Sequence, residues 1–174
     1  MSLVMKIQIK NHGSIKIALW EDKAPLAVES VIATANKGLY NNKRIERFEP
    51  GFVIQPLFFD GVNPEIDKMI KPEFMTREDN HLLKFKRGIV AMAGDEKSAS
   101  GTQFFISLSA TERLNGKFTV IGEVIDGWDE IERLEKLAVN EFVDEMSGFI
   151  YHAPKYDETV ERVEVEDNVK FRDN

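Results

Sequence analysis

Arg47 and Gln55 lie eight residues apart, on either side of a Pro50-Gly51 pair. A second amide, Gln103, stands two residues before Phe105. The guanidinium is a permanent hydrogen-bond donor, whereas each amide both donates and accepts. Apolar aromatic residues close to these groups would supply a binding surface that needs no hydrogen-bond partner. This combination suits a substrate that joins one polarisable group to one apolar ring.

The composition limits the classes of function. The chain has 174 residues, which fit one domain, expected over residues 1–174. Hydrophobic residues make up 43% and charged residues 30%, as in folded proteins. The net charge of −7 argues against nucleic acid and anionic membrane surfaces as partners. The chain contains no cysteine, which suits a reducing compartment, so we predict a cytoplasmic location.

Export, membrane and metal-binding patterns are missing from the sequence. No apolar run has the length of a membrane-spanning helix, and the first residues lack a signal-peptide core. Met5 follows Met1 so closely that we expect residues 1–4 to be an artificial extension. The three histidines, His12, His81 and His152, do not have the spacing of metal ligands. We therefore expect neither a metal nor a cofactor.

Most of the chain alternates apolar and polar residues over short stretches. Met5–Lys10 and Ser14–Trp20 flank Asn11-His12-Gly13, which predicts a β-hairpin. Further strands are predicted at Arg47–Gln55, Gly88–Ala93, Gln103–Ser107, Phe118–Val124 and Thr159–Val165. Short strands of this kind are typical of a closed barrel or a sandwich. The charge run over 158–162 is predicted to be a solvated strand face.

Two helices and two loops complete the prediction. Pro25 begins a helical pattern that ends at Gly38, and a second helix is expected from Trp128 to Leu137. Residues 56–76 contain three prolines and are predicted to form a long ordered loop. Residues 138–157 are rich in aromatic side chains. They are expected to form a loop packed on the barrel, or alternatively a surface for a partner.

Four segments, in this order along the chain, resemble motifs of the cyclophilin family. They are Lys23-Ala24-Pro25, the stretch from Ile45 to Leu57, Gly101–Ile106, and Leu114-Asn115-Gly116-Lys117 with the strand that follows. The resemblance covers roughly Lys6 to Glu166 and marks the chain as a divergent, bacterial-type member. It implies a mainly β fold, a closed antiparallel eight-stranded barrel capped by two α-helices. It also implies peptidyl-prolyl cis-trans isomerase activity, acting as a monomer on proline-containing polypeptides.

The resemblance also assigns roles to individual residues. Arg47, Gln55 and Phe105 take the catalytic positions, with Gln55 orienting Arg47. The substrate-binding positions fall on Phe52, Val53, Ala93, Gly94, Gln103, Leu114 and Phe118. An X-Pro peptide bond, with its polarisable amide and apolar ring, matches the substrate that the residues themselves suggest. Phe52 and Phe105 are also compatible with ordinary core residues, and Gln103 with a buried amide that fixes a loop.

Several residues depart from the family's pattern around the site. Glu46 and Glu49 replace a histidine and an apolar residue beside Arg47, and Glu49 would share a strand face with it. Gly94 replaces a groove asparagine, Arg113 a pocket aromatic residue, and Phe118 a pocket histidine. These changes keep a second hypothesis open, a cyclophilin-like module that binds proline segments with weak or no catalysis. A small-molecule-binding barrel is a third, less favoured hypothesis, because the motifs belong to a surface groove.

Overall fold

The computed structural model describes residues 3–56 and 63–167, and the elements below lie within these ranges. Strands β1 (Leu3–Ile9) and β2 (Ser14–Leu19) pair as an antiparallel hairpin. Asn11 in the turn has a φ of 64°, a conformation that asparagine adopts more readily than most residues. The hairpin predicted from alternation and turn residues is confirmed.

Ten more strands follow within the described residues. They are β3 (Lys43–Arg44), β4 (Arg47–Glu49), β5 (Val53–Gln55), β6 (Met69–Ile70), β7 (Ile89–Gly94), β8 (Ala99–Ser107), β9 (Val120–Asp126), β10 (Val139–Val143), β11 (Ile150–Pro154) and β12 (Thr159–Asp167). One ten-stranded antiparallel sheet runs in the order β3-β12-β1-β2-β9-β7-β8-β5-β4, and β6 pairs with β8. β10 and β11 form a separate two-stranded sheet.

The large sheet curls without closing. Its end strands, β3 and β4, are separated in the chain by only Ile45 and Glu46, so both ends lie in one region. Within the described ranges no pairing joins them, and Ile45 N donates instead to Glu158 O, beside β12. The prediction of a closed eight-stranded barrel is therefore wrong in closure and strand number. Its mainly β, antiparallel character is confirmed.

Four α-helices lie within the described residues. They are α1 (Pro25–Asn36), α2 (Glu73–Thr76), α3 (Glu78–His81) and α4 (Trp128–Glu135), and a 3-10 turn spans Glu112–Leu114. The two predicted helices are confirmed as α1 and α4, and Gly38 follows α1 with a φ of 69°. β6 and α2 interrupt the loop predicted over 56–76, of which residues 57–62 lie outside the described ranges. None of the described helices is long and apolar enough to cross a membrane.

The central strands divide their side chains between two cores. Along β8, Phe104 and Ile106 enter the main core with residues of α1 and α4, whereas Phe105 faces the other side. Because neighbouring residues of a strand point to opposite faces, β5 and β7 divide in the same way. The second core contains Val53, Phe85, Ile89, Ala91, Phe105, Leu114 and Val120. The predicted site residues therefore lie on the outer face of the sheet.

Helix α1 receives its N-terminal cap from a distant residue. Ala24, ahead of the helix, has no side chain that bonds its first turn. Glu73, with 1% of its surface exposed, accepts hydrogen bonds from Leu26 N at 3.1 Å and Ala27 N at 2.8 Å. A carboxylate satisfies these free N–H groups and favours the positive end of the helix dipole. Glu73 thus fixes α1 to α2.

Replacing Glu73 by alanine is expected to lower the free energy of unfolding by about 1–3 kcal/mol, because one buried and one partly buried N–H group lose their acceptor. Urea unfolding at neutral pH measures the change. Glu78→Ala is the matched control, since Glu78 is exposed in the first turn of α3. Its expected change is below about 0.5 kcal/mol. Equal stability of the two variants would contradict the capping role.

Candidate active site

The stretch from Arg47 to Gln55 folds as a hairpin, so the prediction of one continuous strand is wrong. β4 pairs with β5, and Arg47 lies directly opposite Gln55. Pro50 and Gly51 form the turn, where the φ of 74° at Gly51 favours glycine. The turn thus brings the cation and the amide to neighbouring positions on two strands.

A pocket of about 280 Å³ opens beside this hairpin. Nine residues predicted from the sequence line it, namely Arg47, Phe52, Val53, Gln55, Ala93, Gly94, Phe105, Leu114 and Phe118. Phe149, which was not predicted, also lines it. Gln103 is buried next to the pocket, where its Oε1 accepts a hydrogen bond from Gln55 Nε2 at 3.2 Å. The main-chain N–H of Gln103 donates to Ser100 Oγ within β8.

The apolar wall of the pocket is held by aromatic packing. Phe105 meets the edge of Phe118 with ring centroids 5.5 Å apart and stacks on Phe85 at 6.0 Å. Val53 and Leu114 are buried in the same cluster. Such pairs fix ring positions in addition to burying surface. The wall is therefore a preformed apolar surface that fits a small ring.

Gly94 ends β7 at the rim of the pocket, and only glycine fits there. Its φ is 155°, and a Cβ at this position would lie 2.3 Å from Ser98 O. A strand irregularity between Met92 and Gly94 accompanies this close approach. A side chain at position 94 would displace the backbone that follows. The site therefore presents main chain at this edge of the pocket.

Arg47 lines the pocket and is held on two sides. Its Nε donates to Glu49 Oε1 at 3.2 Å, and its Cζ lies 5.2 Å from the centroid of the Phe149 ring. Among the described residues, Nη1 and Nη2 have no hydrogen-bond partner. Glu49 therefore orients the cation while leaving two donor nitrogens available.

Glu49 also connects Arg47 to the β10–β11 hairpin. Its Oε1 accepts from His152 N at 2.9 Å, and its Oε2 lies 2.8 Å from His152 Nδ1. Partial burial would raise the pKa of Glu49, but the hydrogen bonds from His152 and Arg47 outweigh it and lower that pKa. The carboxylate is thus held ionised between a strand of the large sheet and the separate hairpin.

A model of the cyclophilin type peptidyl-prolyl cis-trans isomerase/CLD family matches residues 4–165, which span the chain from β1 to β12. The chain belongs to the cyclophilin family. The match includes every element that lines the pocket, the β10–β11 hairpin among them.

Relatives of this cyclophilin occur in bacteria and animals. Peptidyl-prolyl cis-trans isomerase B of Escherichia coli is 33% identical over 164 residues, covering 89% of this chain and 95% of that protein. Peptidyl-prolyl cis-trans isomerase-like 3 of Homo sapiens is 33% identical over 129 residues, with 74% and 80% coverage.

Solved structures share the fold of this cyclophilin. A Cryptosporidium parvum cyclophilin type peptidyl-prolyl cis-trans isomerase superposes with a TM-score of 0.78, at 24% identity and 97% and 99% coverage of the two chains. A crystal structure of the same protein in the presence of the dipeptide Ala-Pro gives 0.77, at 25% identity and 95% and 99% coverage.

Two charged residues that depart from the cyclophilin pattern take different positions. The Arg113 guanidinium lies over the Phe52 ring, with Cζ 4.6 Å from its centroid, a cation–π contact at the rim of the pocket. Glu46 is exposed and forms no hydrogen bond or ion pair with another described residue. Of the two glutamates beside Arg47, only Glu49 acts on it.

Phe149 is the pocket residue that the sequence analysis missed. The prediction of a loop over 138–157 is wrong, because β10 and β11 form a regular hairpin there. Neither strand alternates apolar and polar residues, and the signal that the sequence offered is the turn, where Gly148 has a φ of 72°. The hairpin packs against β4, and no local sequence pattern indicates this tertiary contact.

Acid is expected to detach His152 from Glu49. Because the folded-state pKa of Glu49 is below its ordinary value of 4.5, its stabilising contribution is complete above pH 4.5 and is lost as the pH falls through the folded pKa. The NMR signal of the His152 amide should shift with a midpoint below 4.5. His152→Ala should move the Glu49 midpoint upward, since the ring hydrogen bond is removed. A wild-type midpoint above 4.5 would contradict the network.

Proposed function

We propose that this cyclophilin accelerates cis–trans rotation about X-Pro peptide bonds in proteins and thereby assists folding, with Arg47 as the catalytic cation. One observation carries the proposal. Arg47 lines a pocket that has an apolar wall of Phe105, Leu114 and Phe118, while its Nη1 and Nη2 have no partner among the described residues. A donor with free N–H groups beside an apolar ring site is what a twisted prolyl amide requires.

The reaction needs neither a nucleophile nor a cofactor. Amide resonance holds the peptide bond planar with a barrier of about 18–20 kcal/mol. The cis and trans forms of X-Pro differ by only about 0.5–1 kcal/mol, yet their exchange takes tens of seconds or longer. A catalyst must therefore bind the twisted amide more tightly than either planar form. Twisting returns a lone pair to the nitrogen and removes charge separation from the amide.

The residues of the pocket fit these two demands. Phe105, Leu114 and Phe118 would hold the proline ring in an apolar environment, which disfavours the charge-separated planar amide. An Nη group of Arg47 would donate to the prolyl nitrogen, which accepts well only when the amide is twisted. Glu49 and Phe149 would keep the guanidinium in place through Nε and one ring face, so orientation costs little during the reaction.

The substrate main chain would be held at the opposite side of the pocket. β7 pairs with β9 only as far as Ala91, and Met92 N donates to Thr119 O. Beyond this point Ala93 and Gly94 line the pocket, and the missing side chain of Gly94 allows close approach. An extended peptide would pair with this edge, as in β-strand addition. Gln55 and Gln103 would form the polar border between this edge and Arg47.

The cellular setting belongs to the same proposal. Proline-containing polypeptides are the substrates, and the protein works as a single-domain monomer in the cytoplasm. The lack of cysteine and the net charge of −7 support this setting and disfavour nucleic acid and anionic membranes.

The ion pair between Arg47 and Glu49 favours one alternative, a module that binds proline segments without isomerising them. Pairing at 3.2 Å reduces the net charge that the guanidinium directs at the substrate. The two functions differ in exchange rate and not in binding. NMR exchange spectroscopy on an Ala-Pro peptide should show a cis–trans exchange rate that increases as protein is added at micromolar concentrations. Binding without any catalysed exchange would leave the module as the function.

A further inference from the structure

The β10–β11 hairpin carries three aromatic rings on one face, Phe142, Phe149 and Tyr151, here called the aromatic row. Phe142 lies opposite Tyr151 in the pairing, and Phe149 is two residues from Tyr151, so all three share a face. The Phe142 and Tyr151 centroids are 5.5 Å apart, and those of Tyr151 and Phe149 are 6.3 Å apart. Phe142 is 43% exposed and Phe149 46% exposed. The row therefore exposes apolar ring surface to solvent.

The aromatic row continues the pocket. Phe149 lines the pocket and covers Arg47, and the hairpin packs against β4. The pocket strands run in the order β7-β8-β5-β4. The row therefore extends the site beyond β4, on the side away from Ala93 and Gly94. Hairpin stability alone explains the contacts between the rings, but not the position of their exposed faces at the mouth of a binding site.

We propose that the aromatic row is a substrate subsite for an aromatic or large apolar side chain near the X-Pro bond. The inference rests on the proposed function, which places that bond at Arg47. An extended chain rises about 3.4 Å per residue and turns alternate side chains to one face. The Phe149 ring, 5.2 Å from Arg47 Cζ, is then within reach of the second residue from the proline. The Phe142 ring is within reach of the fourth.

The charged groups near the aromatic row bear on which side chain would bind there. Between residues 139 and 154 the hairpin has three carboxylates, Glu141, Asp144 and Glu145, and no lysine or arginine. Glu141 lies on the opposite face of the hairpin beside His152, and the Arg47 guanidinium covers the Phe149 ring. The exposed rings of the row therefore offer apolar surface, which suits an aromatic side chain. The continuity with the pocket favours a substrate segment over a second copy of this chain as the occupant of the row.

Peptides with one Ala-Pro centre test the subsite. One position of each peptide is varied between Phe, Ala and Glu. The varied position is the second or the fourth residue from the proline, and one series places it before the proline and another after it. NMR exchange gives kcat/KM, and titration gives Kd. On one side of the proline, Phe should be preferred over Ala roughly two- to tenfold, the range of one aromatic pair. Equal values for Phe and Ala would overturn the proposal.

Two variants and a control assign the effect to the rings. Phe149→Ala should bring the Phe/Ala ratio at the second residue close to one, and Phe142→Ala should do so at the fourth. Ile150→Ala, on the opposite face of the hairpin, should keep both ratios. Ratios within one variant cancel any general loss of activity, and the His152 amide signal checks that the hairpin stays docked. Unchanged ratios in both Phe variants would overturn the proposal.

The experiment separates this inference from the proposed function. If no peptide shows catalysed exchange, the proposed function fails, while the Kd ratios still report on the subsite. Sedimentation tests the other occupant. Concentration-dependent association that Phe142→Ala abolishes would assign the row to a contact between copies and overturn the inference.

Discussion

Replacing Arg47 by alanine is expected to lower kcat/KM for a cis Ala-Pro peptide by roughly ten- to 150-fold. A hydrogen bond to a charged group contributes about 1.5–3 kcal/mol, and each ~1.36 kcal/mol is a factor of ten in rate. The bond to the prolyl nitrogen forms only in the twisted state, so most of the loss should appear in kcat. Peptide affinity should fall much less, because Phe105 and Leu114 keep the proline site.

Two further variants make the Arg47 result specific. Arg47→Lys keeps the charge but loses the planar fork that binds Glu49 through Nε and directs Nη1 and Nη2 to the pocket, so an intermediate rate is expected. Arg44→Ala is the matched control, since Arg44 is an exposed neighbour that pairs with Asp157 outside the pocket. Its rate should equal that of the wild type. A rate for Arg47→Ala within twofold of the wild type would remove Arg47 from the mechanism.

Local features of the chain bring the pocket residues together. The Pro50-Gly51 turn sets Arg47 opposite Gln55, and strand alternation separates Phe105 from Phe104. A turn signal and a two-residue period are both visible in a sequence. The nine lining residues were assigned through the resemblance to cyclophilin motifs, whereas the hairpin that places Arg47 opposite Gln55 was predicted as a single strand.

The features that escaped prediction depend on contacts between distant segments. Phe149 reaches Arg47 because Glu49 bonds to His152, 103 residues further along the chain. Whether the ends of a sheet close depends on pairing between β3 and β4, which no local pattern specifies. The prediction of a solvated face over 158–162 is wrong for Glu158, which is buried against Arg133. A charged residue looks exposed in a sequence until its partner is known.

Replacing Arg133 by methionine is expected to lower the free energy of unfolding by about 2–3 kcal/mol. Arg133 donates to Glu130 and to Glu158, whose side chains are only 6% and 9% exposed. The hydrogen bonds to Glu158 and Glu130 raise the pKa of Arg133. Without the cation two nearby carboxylates remain buried together. The expected loss is below the ~3–5 kcal/mol of fully buried pairs because Arg133 is itself 28% exposed.

Urea unfolding of matched variants tells a charge effect from a packing effect. Arg162→Met is the control, since Arg162 pairs with glutamates at the surface, and its loss should stay below about 1 kcal/mol. Adding Glu130→Gln and Glu158→Gln to Arg133→Met removes the stranded charges and should recover about half of the lost stability or more. If the triple variant is as unstable as the single one, the aliphatic stem of Arg133 stabilises the fold, and the buried charges do not.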